Sequence, residues 1–518
     1  MEKSRTEYSV RNTSAAMVSK MIAIIMGYMS RVVFTRVLSI SYVGINGLFF
    51  NILNIFSLTE LGIGTAITYT LYKPIAEGDL EKQKSLMQLY CRFYRLMAGI
   101  VLAVGLAVIP FLDILIKNRP EVDHLVLIYL LYLANSVCSY LLIYKRILID
   151  AHQMLYIGVI YQTCFFVIQN IGQIIILLCT KNFILYLLIY LLCTFGNSLC
   201  VSRKAVRLYP YLREKQINPL EKKEKHHIVQ NIRAMMMHKV AMAIINNTDN
   251  LLLSAIVGIT SVACYFNYFL LIGSVRQVLD QTFQGIAASV GNLSVTSDKK
   301  QVRSIFEASF FIGQWMYGLA AICLYELLNP FVELSFGKQY LFGNKIVFVL
   351  CLNFFIIGTR QATLIFRDSL GLFWYDRYKA PIETVLNLGI SIVLAKSYGT
   401  IGVFLGTLFS TLLTSVWVEP WVLYKRYLKT SVFKYFAWYA VYTVVIGAVW
   451  YVTDFLCGSL KGSIGLVLLY RLMICILLPN VILFLCYFRK KEFRFLLDKL
   501  KRLLKGKCLK KQVNNQNP

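Results

Sequence analysis

Stretches of about twenty largely apolar residues recur along this chain from near residue 12 to residue 488, separated by short polar connections, and nothing else in the sequence limits the fold as much. A helix of that length, rising about 1.5 Å per residue, crosses roughly 30 Å of hydrocarbon. Within a bilayer the backbone N–H and C=O groups must be satisfied inside the chain, so each such run is expected to be a helix. Charged residues are only 15% of the 518, against about a quarter in a soluble chain. The expected fold is all-α and integral to the membrane, with about 14 transmembrane helices and no soluble domain. The spans fall near residues 12–38, 43–72, 86–116, 124–149, 153–179, 183–203, 229–257, 262–292, 303–328, 345–367, 380–396, 401–424, 434–454 and 463–488.

The net charge of +28 is carried by short connections and by the C-terminal tail. That distribution argues against a folded basic face for nucleic acid and for the positive-inside rule. With the N-terminus inside and the spans alternating, the inner segments hold roughly 39 Lys/Arg and the outer ones about 6. The expected orientation therefore has both termini cytoplasmic. The tail FRKKEFRFLLDKLKRLLKGKCLKK is basic and partly amphipathic, suited to anionic headgroups or simply to solvent. The polar start MEKSRTEYSVRN, followed by a full-length span, does not read as a cleavable signal.

Sliding the chain against itself exposes an internal repeat at an offset of about 219 residues, with two segments aligned without gaps. Val10 meets Val229, Asn12 meets Asn231, Ala15 meets Ala234, Lys20 meets Lys239 and Val43 meets Val262. Further along the diagonal Asp79 meets Asp298, Met97 meets Met316 and Gly99 meets Gly318. Since the repeat covers an even number of spans, both copies keep one orientation, the parallel arrangement of some transporters. The expected organisation is an N-lobe over residues 1–203, a cytoplasmic linker over 204–228 and a C-lobe over 229–428. Two further spans occupy 429–488, and a basic cytoplasmic tail occupies 489–518. Two like lobes with a cleft between them suit alternating access, so transport is favoured over enzymology.

A charge near the middle of a span costs about 2.5–3.5 kcal/mol on insertion scales, so it normally faces a partner or a wet cavity. Lys20 and Arg31 in span 1, Arg276 in span 8 and Arg360 in span 10 are the candidate cleft-lining cations. A guanidinium stays charged and presents a fork that binds phosphate oxygens in pairs. Glu60, Asp249 and Asp280 are candidates for ion coupling or for charge pairing. Asp249 neighbours the repeat equivalent of Arg31 and is expected to face that arginine. Each position also has a structural alternative: Lys20 can snorkel, and Glu60 can hold the bundle together through an arginine. Arg36, Arg92 and Arg95, near helix ends, are expected to snorkel. Small-residue stretches, LGIGTA from Leu61 and GIAASVGN from Gly285, are expected to permit close helix packing, with a gating hinge as the alternative.

Thirteen cysteines are scattered through apolar runs, and the five histidines lie near helix ends or in connections. They form no metal-ligand spacing, and no nucleophile–base set stands out. No cofactor, metal or catalytic residue is expected.

The layout of six, six and two spans, NNTDNLLLSAIVGITSVACYFNY from Asn246, and GLFWYDRYKAPIETVLNLGISIVLAKSYGTIGVFLGTLFST from Gly371 together resemble a known family. The segment ELGIGTAITYTLYKPIAEGD from Glu60 matches as well. The chain resembles the polysaccharide transporters, the lipid-linked oligosaccharide flippases for O-antigen or capsule repeat units. Their superfamily also holds multidrug extruders and the lipid II flippase. The resemblance implies movement of undecaprenyl-pyrophosphate-linked oligosaccharide across the bacterial cytoplasmic membrane by alternating access, for cell-surface polysaccharide biosynthesis. It implies membrane lipids as surroundings, and the polymerase and glycosyltransferases of the pathway as partners. Related flippases line their cavity with cations in helices 1, 2 and 8; here helix 2 offers Glu60 instead. A multidrug/cation antiporter is one alternative, kept open by Glu60, Asp249 and Asp280. A membrane polysaccharide polymerase or ligase is the other, disfavoured by the repeat and by short outer connections.

Overall fold

The computed structural model describes residues 5–494 except 54–69, 72–73, 76, 113–115, 117–121, 153, 215–217, 221–247, 297–298, 371, 373–374, 377 and 461. Side chains are described throughout those residues except at 5–14, 16, 142–143, 281–282 and 284–300. Among the described residues the regular structure is helical, with no strand. Among the described residues eleven helices are long and apolar enough to cross a membrane, or twelve when the bent pair Leu125–Leu141 and Tyr144–Ala151 counts as one span. Two shorter apolar helices, Ile40–Leu53 and Thr248–Val257, stand where spans 2 and 7 are expected. Both adjoin residues outside the described set, as does Glu60 itself.

The chain divides into two compact units, residues 1–266 and 267–518. The division falls within one long helix, whereas the sequence places a lobe boundary in the connection at 204–228. Packing of the helix after Gly258 against Ile40–Leu53 assigns its first turns to the first unit.

In the first unit, α1 (Arg5–Val37) and α2 (Ile40–Leu53) are followed by α3 (Leu80–Val108), α4 (Leu125–Ala151), α5 (Leu155–Thr180) and α6 (Phe183–Leu208). Then come α7 (Thr248–Val257) and the start of α8 (Ile259–Thr296). The α7–α8 turn is made by Gly258 at φ 137°, a backbone conformation that glycine adopts without steric cost. Gly44 on α2 faces the start of α8 so closely that a Cβ there would meet the Ile259 carbonyl oxygen at 2.5 Å. The first residues after α6 fold back on α3: Tyr211 donates to Gln83 Oε1 at 2.7 Å, and Lys84 Nζ reaches Glu214 Oε2 at 2.6 Å and Glu81 Oε1 at 2.7 Å. Burial there pushes the Tyr211 phenol up to about 12, opposed by the charge of Lys84.

The second unit contains α9 (Lys299–Phe336), α10 (Asn344–Thr359), α11 (Gln361–Ser369), α12 (Lys379–Tyr398), α13 (Thr400–Leu413) and α14 (Ser415–Val422). It ends with α15 (Phe433–Gly458) and α16 (Ile464–Tyr487). Expected span 10 is thus broken at Arg360, and expected span 12 at Thr414.

Helix starts repeat at the offset found in the sequence. Ile40 and Leu125 open α2 and α4; Ile259 and Asn344, each 219 residues later, open α8 and α10. Neighbour relations repeat too: α3 packs on α4 as α9 packs on α10, α4 on α6 as α10 on α13, and α5 on α6 as α12 on α13. Large apolar side chains point outward on the spans, among them Leu192 (67% exposed), Val385 (71%) and Phe455 (73%). In water such a surface would be a liability; against lipid chains it is the solvated face.

Candidate functional site

Arg31, on α1, is a buried cation of the first unit, 7% exposed. Its guanidinium carbon lies 4.5 Å from the ring centroid of Phe266 and 5.6 Å from that of Phe34. Contact with two rings lets the weakly hydrated guanidinium be buried without a hydrophobic mismatch. Phe34 is itself packed on Phe183 and Tyr186 of α6, with centroids 5.6 Å and 5.1 Å away, so α6 fixes the stack. Thr35 returns its hydroxyl to the Arg31 carbonyl at 2.9 Å, keeping that polar group satisfied inside the helix.

Around Arg31 the unit is rich in phenols, amides and hydroxyls. Tyr132 on α4 donates to Asn46 Oδ1 on α2, and the charge of Arg31 reaches the hydroxyls of Tyr132 and Tyr186. Tyr190 on α6 meets Tyr132 with ring centroids 6.5 Å apart. A pocket of about 220 Å³ opens among α2, α4 and α6 beside these groups.

Lys20 is half-buried on α1, eleven residues before Arg31, which puts it on the same face about 16 Å along the axis. Asp249 is half-buried on α7, with its charge acting on Tyr265 of α8. Arg31, Lys20 and Asp249 therefore share the first unit, while Glu60 lies outside the described residues.

The second unit holds the other candidates. Arg276 Nε lies 3.5 Å from Asp280 Oδ2, one turn further along α8, and the Tyr317 hydroxyl donates to the other oxygen of Asp280. Arg276 keeps 41% of its side chain exposed. Arg360 is placed differently. Its Nε and Nη2 donate to the two oxygens of Glu419 at 3.1 Å and 2.6 Å, and Lys379 donates to the same carboxylate. Arg367 bridges Asp368 and Asp376 alongside. Arg360 thus belongs to a buried ionic network, and its fork is occupied.

Sequence reasoning did not single out Glu419, Lys379, Arg367 or Asp376, nor the buried pair of Arg471 with Glu326, whose Nη1 and Oε2 are 3.5 Å apart. A signal was present for Glu419, the only carboxylate within expected span 12. Among the described residues no group of three or more His, Cys, Asp or Glu is placed to hold a metal ion.

A many-spanned helical fold with a repeated helix pattern and charged groups held between its helices defines a multi-pass membrane protein. A family model described as polysaccharide biosynthesis protein matches residues 9–285, more than half of the chain, and the chain belongs to that family. Solved structures agree on the fold. The chain is similar to "Lipid II flippase MurJ, inward closed conformation", at a TM-score of 0.69 and 15% identity, over 92% of this chain and 99% of that one. It is also similar to an inward-facing multidrug resistance MATE family transporter of the MOP superfamily, at 0.58 and 13% identity, over 80% and 97%. A mutant of the Vibrio cholerae MATE transporter VcmN follows at 0.52 and 14% identity, over 83% and 99%. No curated protein sequence gives a match.

Proposed function

We propose that this protein translocates an undecaprenyl-pyrophosphate-linked oligosaccharide across the bacterial cytoplasmic membrane by alternating access, with both termini cytoplasmic. The observation that carries this reading is Arg31: a buried guanidinium on a spanning helix, in contact with the rings of Phe34 and Phe266. Such a group suits the pyrophosphate of a lipid-linked sugar, because it holds its charge at any physiological pH. An apolar groove of about 690 Å³ in the second unit, bounded by Leu271, Val275, Met316, Leu324, Phe331 and Leu472, suits a hydrocarbon chain. Membership of a polysaccharide biosynthesis family supports a sugar cargo over a drug.

The cargo reaches the protein from glycosyltransferases and leaves it for a polymerase, so these are the partners. Asp280, clamped by Arg276 and Tyr317, is the candidate for coupling transport to an ion. The test is reconstitution in proteoliposomes with a fluorescent undecaprenyl-pyrophosphate-linked sugar. Wild-type protein is expected to move the probe between leaflets. Loss of at least tenfold in the Arg31→Ala rate supports the assignment, on the scale of one charge-assisted contact. An Arg31→Ala protein that flips at the wild-type rate rules it out.

A further inference from the structure

The pocket of about 220 Å³ in the first unit is built from side chains of a kind that no other pocket described here assembles. Tyr132, Asn135, Ser136 and Ser139 come from α4, Tyr190 and Thr194 from α6, and Phe50 closes it from α2. No charged side chain lines it. The second unit's two pockets are instead bounded almost wholly by aliphatic and aromatic groups.

Three features give this pocket a ligand chemistry. Tyr132 and Tyr190 meet edge to face, with centroids 6.5 Å apart at 70°, so the two rings present surfaces in different directions. Asn135 is 7% exposed, lines the pocket, and has its Oδ1 left without a hydrogen-bond partner. A buried amide oxygen of that kind is costly unless a donor is supplied to it. Ser136 and Ser139 add hydroxyls from the same helix, Ser139 donating to the Ser136 carbonyl at 2.7 Å, which leaves its oxygen able to accept a further hydrogen bond.

Aromatic faces beside amide and hydroxyl groups, without a fixed charge, match a neutral ring that carries hydroxyls at its rim and C–H groups on its faces. We propose that this pocket is a sugar subsite that takes the uncharged ring next to the pyrophosphate of the lipid-linked cargo. The inference rests on the transport reading above and adds to it the element that recognises the saccharide. Arg31 stacks on Phe34, Phe34 packs on Tyr186, and Tyr190 stands one turn further along α6 at the pocket, which would put the first sugar beside an anion held at Arg31. The anionic headgroup and the neutral ring are then recognised by different side chains of the same unit. Selection among cargoes lies in the hydroxyl and amide positions, because a site built to hydrogen-bond a hydroxyl rejects an analogue lacking it.

The test uses the full-length protein in lipid nanodiscs and measures binding of bare undecaprenyl pyrophosphate against the same lipid carrying one hexose or one N-acetylhexosamine. Wild-type protein is expected to bind at least one glycosylated lipid roughly tenfold tighter than the bare one, the scale of one or two net hydrogen bonds. In Asn135→Leu and Tyr190→Phe that ratio is expected to fall to within about twofold. Tyr190→Phe removes a single hydroxyl and keeps the ring, so it carries the test if Asn135→Leu does not fold. An unchanged ratio in the variants, or parallel weakening toward both lipids, overturns the subsite. Wild-type protein that binds bare and glycosylated lipids equally overturns the subsite and leaves the transport reading standing. Wild-type protein that binds none of them overturns both.

Discussion

Arg360 grips Glu419 at two points, Nε to Oε2 at 3.1 Å and Nη2 to Oε1 at 2.6 Å, and the Glu419 side chain is wholly shielded from the surface. The two residues stand at helix breaks, Arg360 between α10 and α11 and Glu419 on α14, just past the break at Thr414. Burial alone would favour a neutral Glu419, but Arg360 and Lys379 supply opposing charge and hydrogen bonds at the same oxygens. Removing one partner of a buried pair leaves uncompensated charge and costs about 3–5 kcal/mol. Glu419→Ala, which strands both Arg360 and Lys379, is therefore expected to lower the thermal midpoint of the purified protein sharply. Glu419→Gln, which keeps the shape and one acceptor, is expected to fall between that variant and wild type. Equal midpoints for all three proteins would show that the network contributes nothing to stability.

Close packing in the first unit turns on Gly44. A methyl group there would meet the Ile259 carbonyl oxygen at 2.5 Å and Ile259 Cγ1 at 2.7 Å. The side chain can turn aside, but the carbonyl is fixed by the turn at Gly258. Gly44→Ala is expected to destabilise by about 1–3 kcal/mol, the usual cost of overpacking. At Gly27, where a Cβ meets nothing within 4 Å, the same change is expected to be neutral or mildly stabilising, since alanine is the better helix former. Parallel thermal melts of the two variants distinguish local clash from general sensitivity to the substitution.

Just beyond α16, Lys490 Nζ lies 3.4 Å from the ring centroid of Trp438 and 4.2 Å from that of Tyr442, and donates to the Tyr442 hydroxyl at 3.0 Å. Burial pushes its ammonium down to about 8, with the charge of Glu492 pulling the other way. In the unfolded chain the same group titrates near 10.4. Between about pH 8 and 10.4 the unfolded state thus binds more protons than the folded one, so this residue's contribution to stability rises with pH across that window. Below pH 8 both states are charged, the burial penalty is fully present and the contribution is flat. The melting temperature of wild type minus that of Lys490→Met is expected to increase from pH 7.5 to 10. A difference that is constant, or that shrinks, contradicts the assignment.

Much of the fold is legible in the residues, for a physical reason. A span must be apolar over its whole length, so hydropathy marks it regardless of what it packs against. The repeat is legible because Asp79/Asp298 and Lys20/Lys239 fall in register in the sequence, and the helix starts at Ile40 and Ile259 are likewise 219 residues apart. Pairings are the harder part. Arg276 and Asp280 are four residues apart on one helix, so their contact follows from helical spacing alone. Arg360 and Glu419 are 59 residues apart, and no periodicity brings them together. The pocket of Tyr132, Asn135 and Tyr190 escaped for another reason. Its residues are uncharged and mildly apolar, so a search weighted by the cost of burying charge passes over them.

Asp280 is the carboxylate whose surroundings bear most directly on coupling. It accepts the Tyr317 hydroxyl on one oxygen and faces Arg276 Nε at 3.5 Å on the other. Its side chain is 27% exposed, so it keeps a route to solvent that Glu419 lacks. A carboxylate that is partnered yet accessible is suited to exchanging a proton or a cation for its arginine, whereas a sealed one is suited to holding helices together. Asp280→Asn preserves the shape and the acceptor for Tyr317 while removing the charge. In proteoliposomes the variant is expected to keep flipping the lipid-linked probe down its own gradient and to lose the acceleration given by an imposed proton or sodium gradient. Retention of that acceleration assigns Asp280 to packing alone. Loss of both modes makes it part of the cargo path instead.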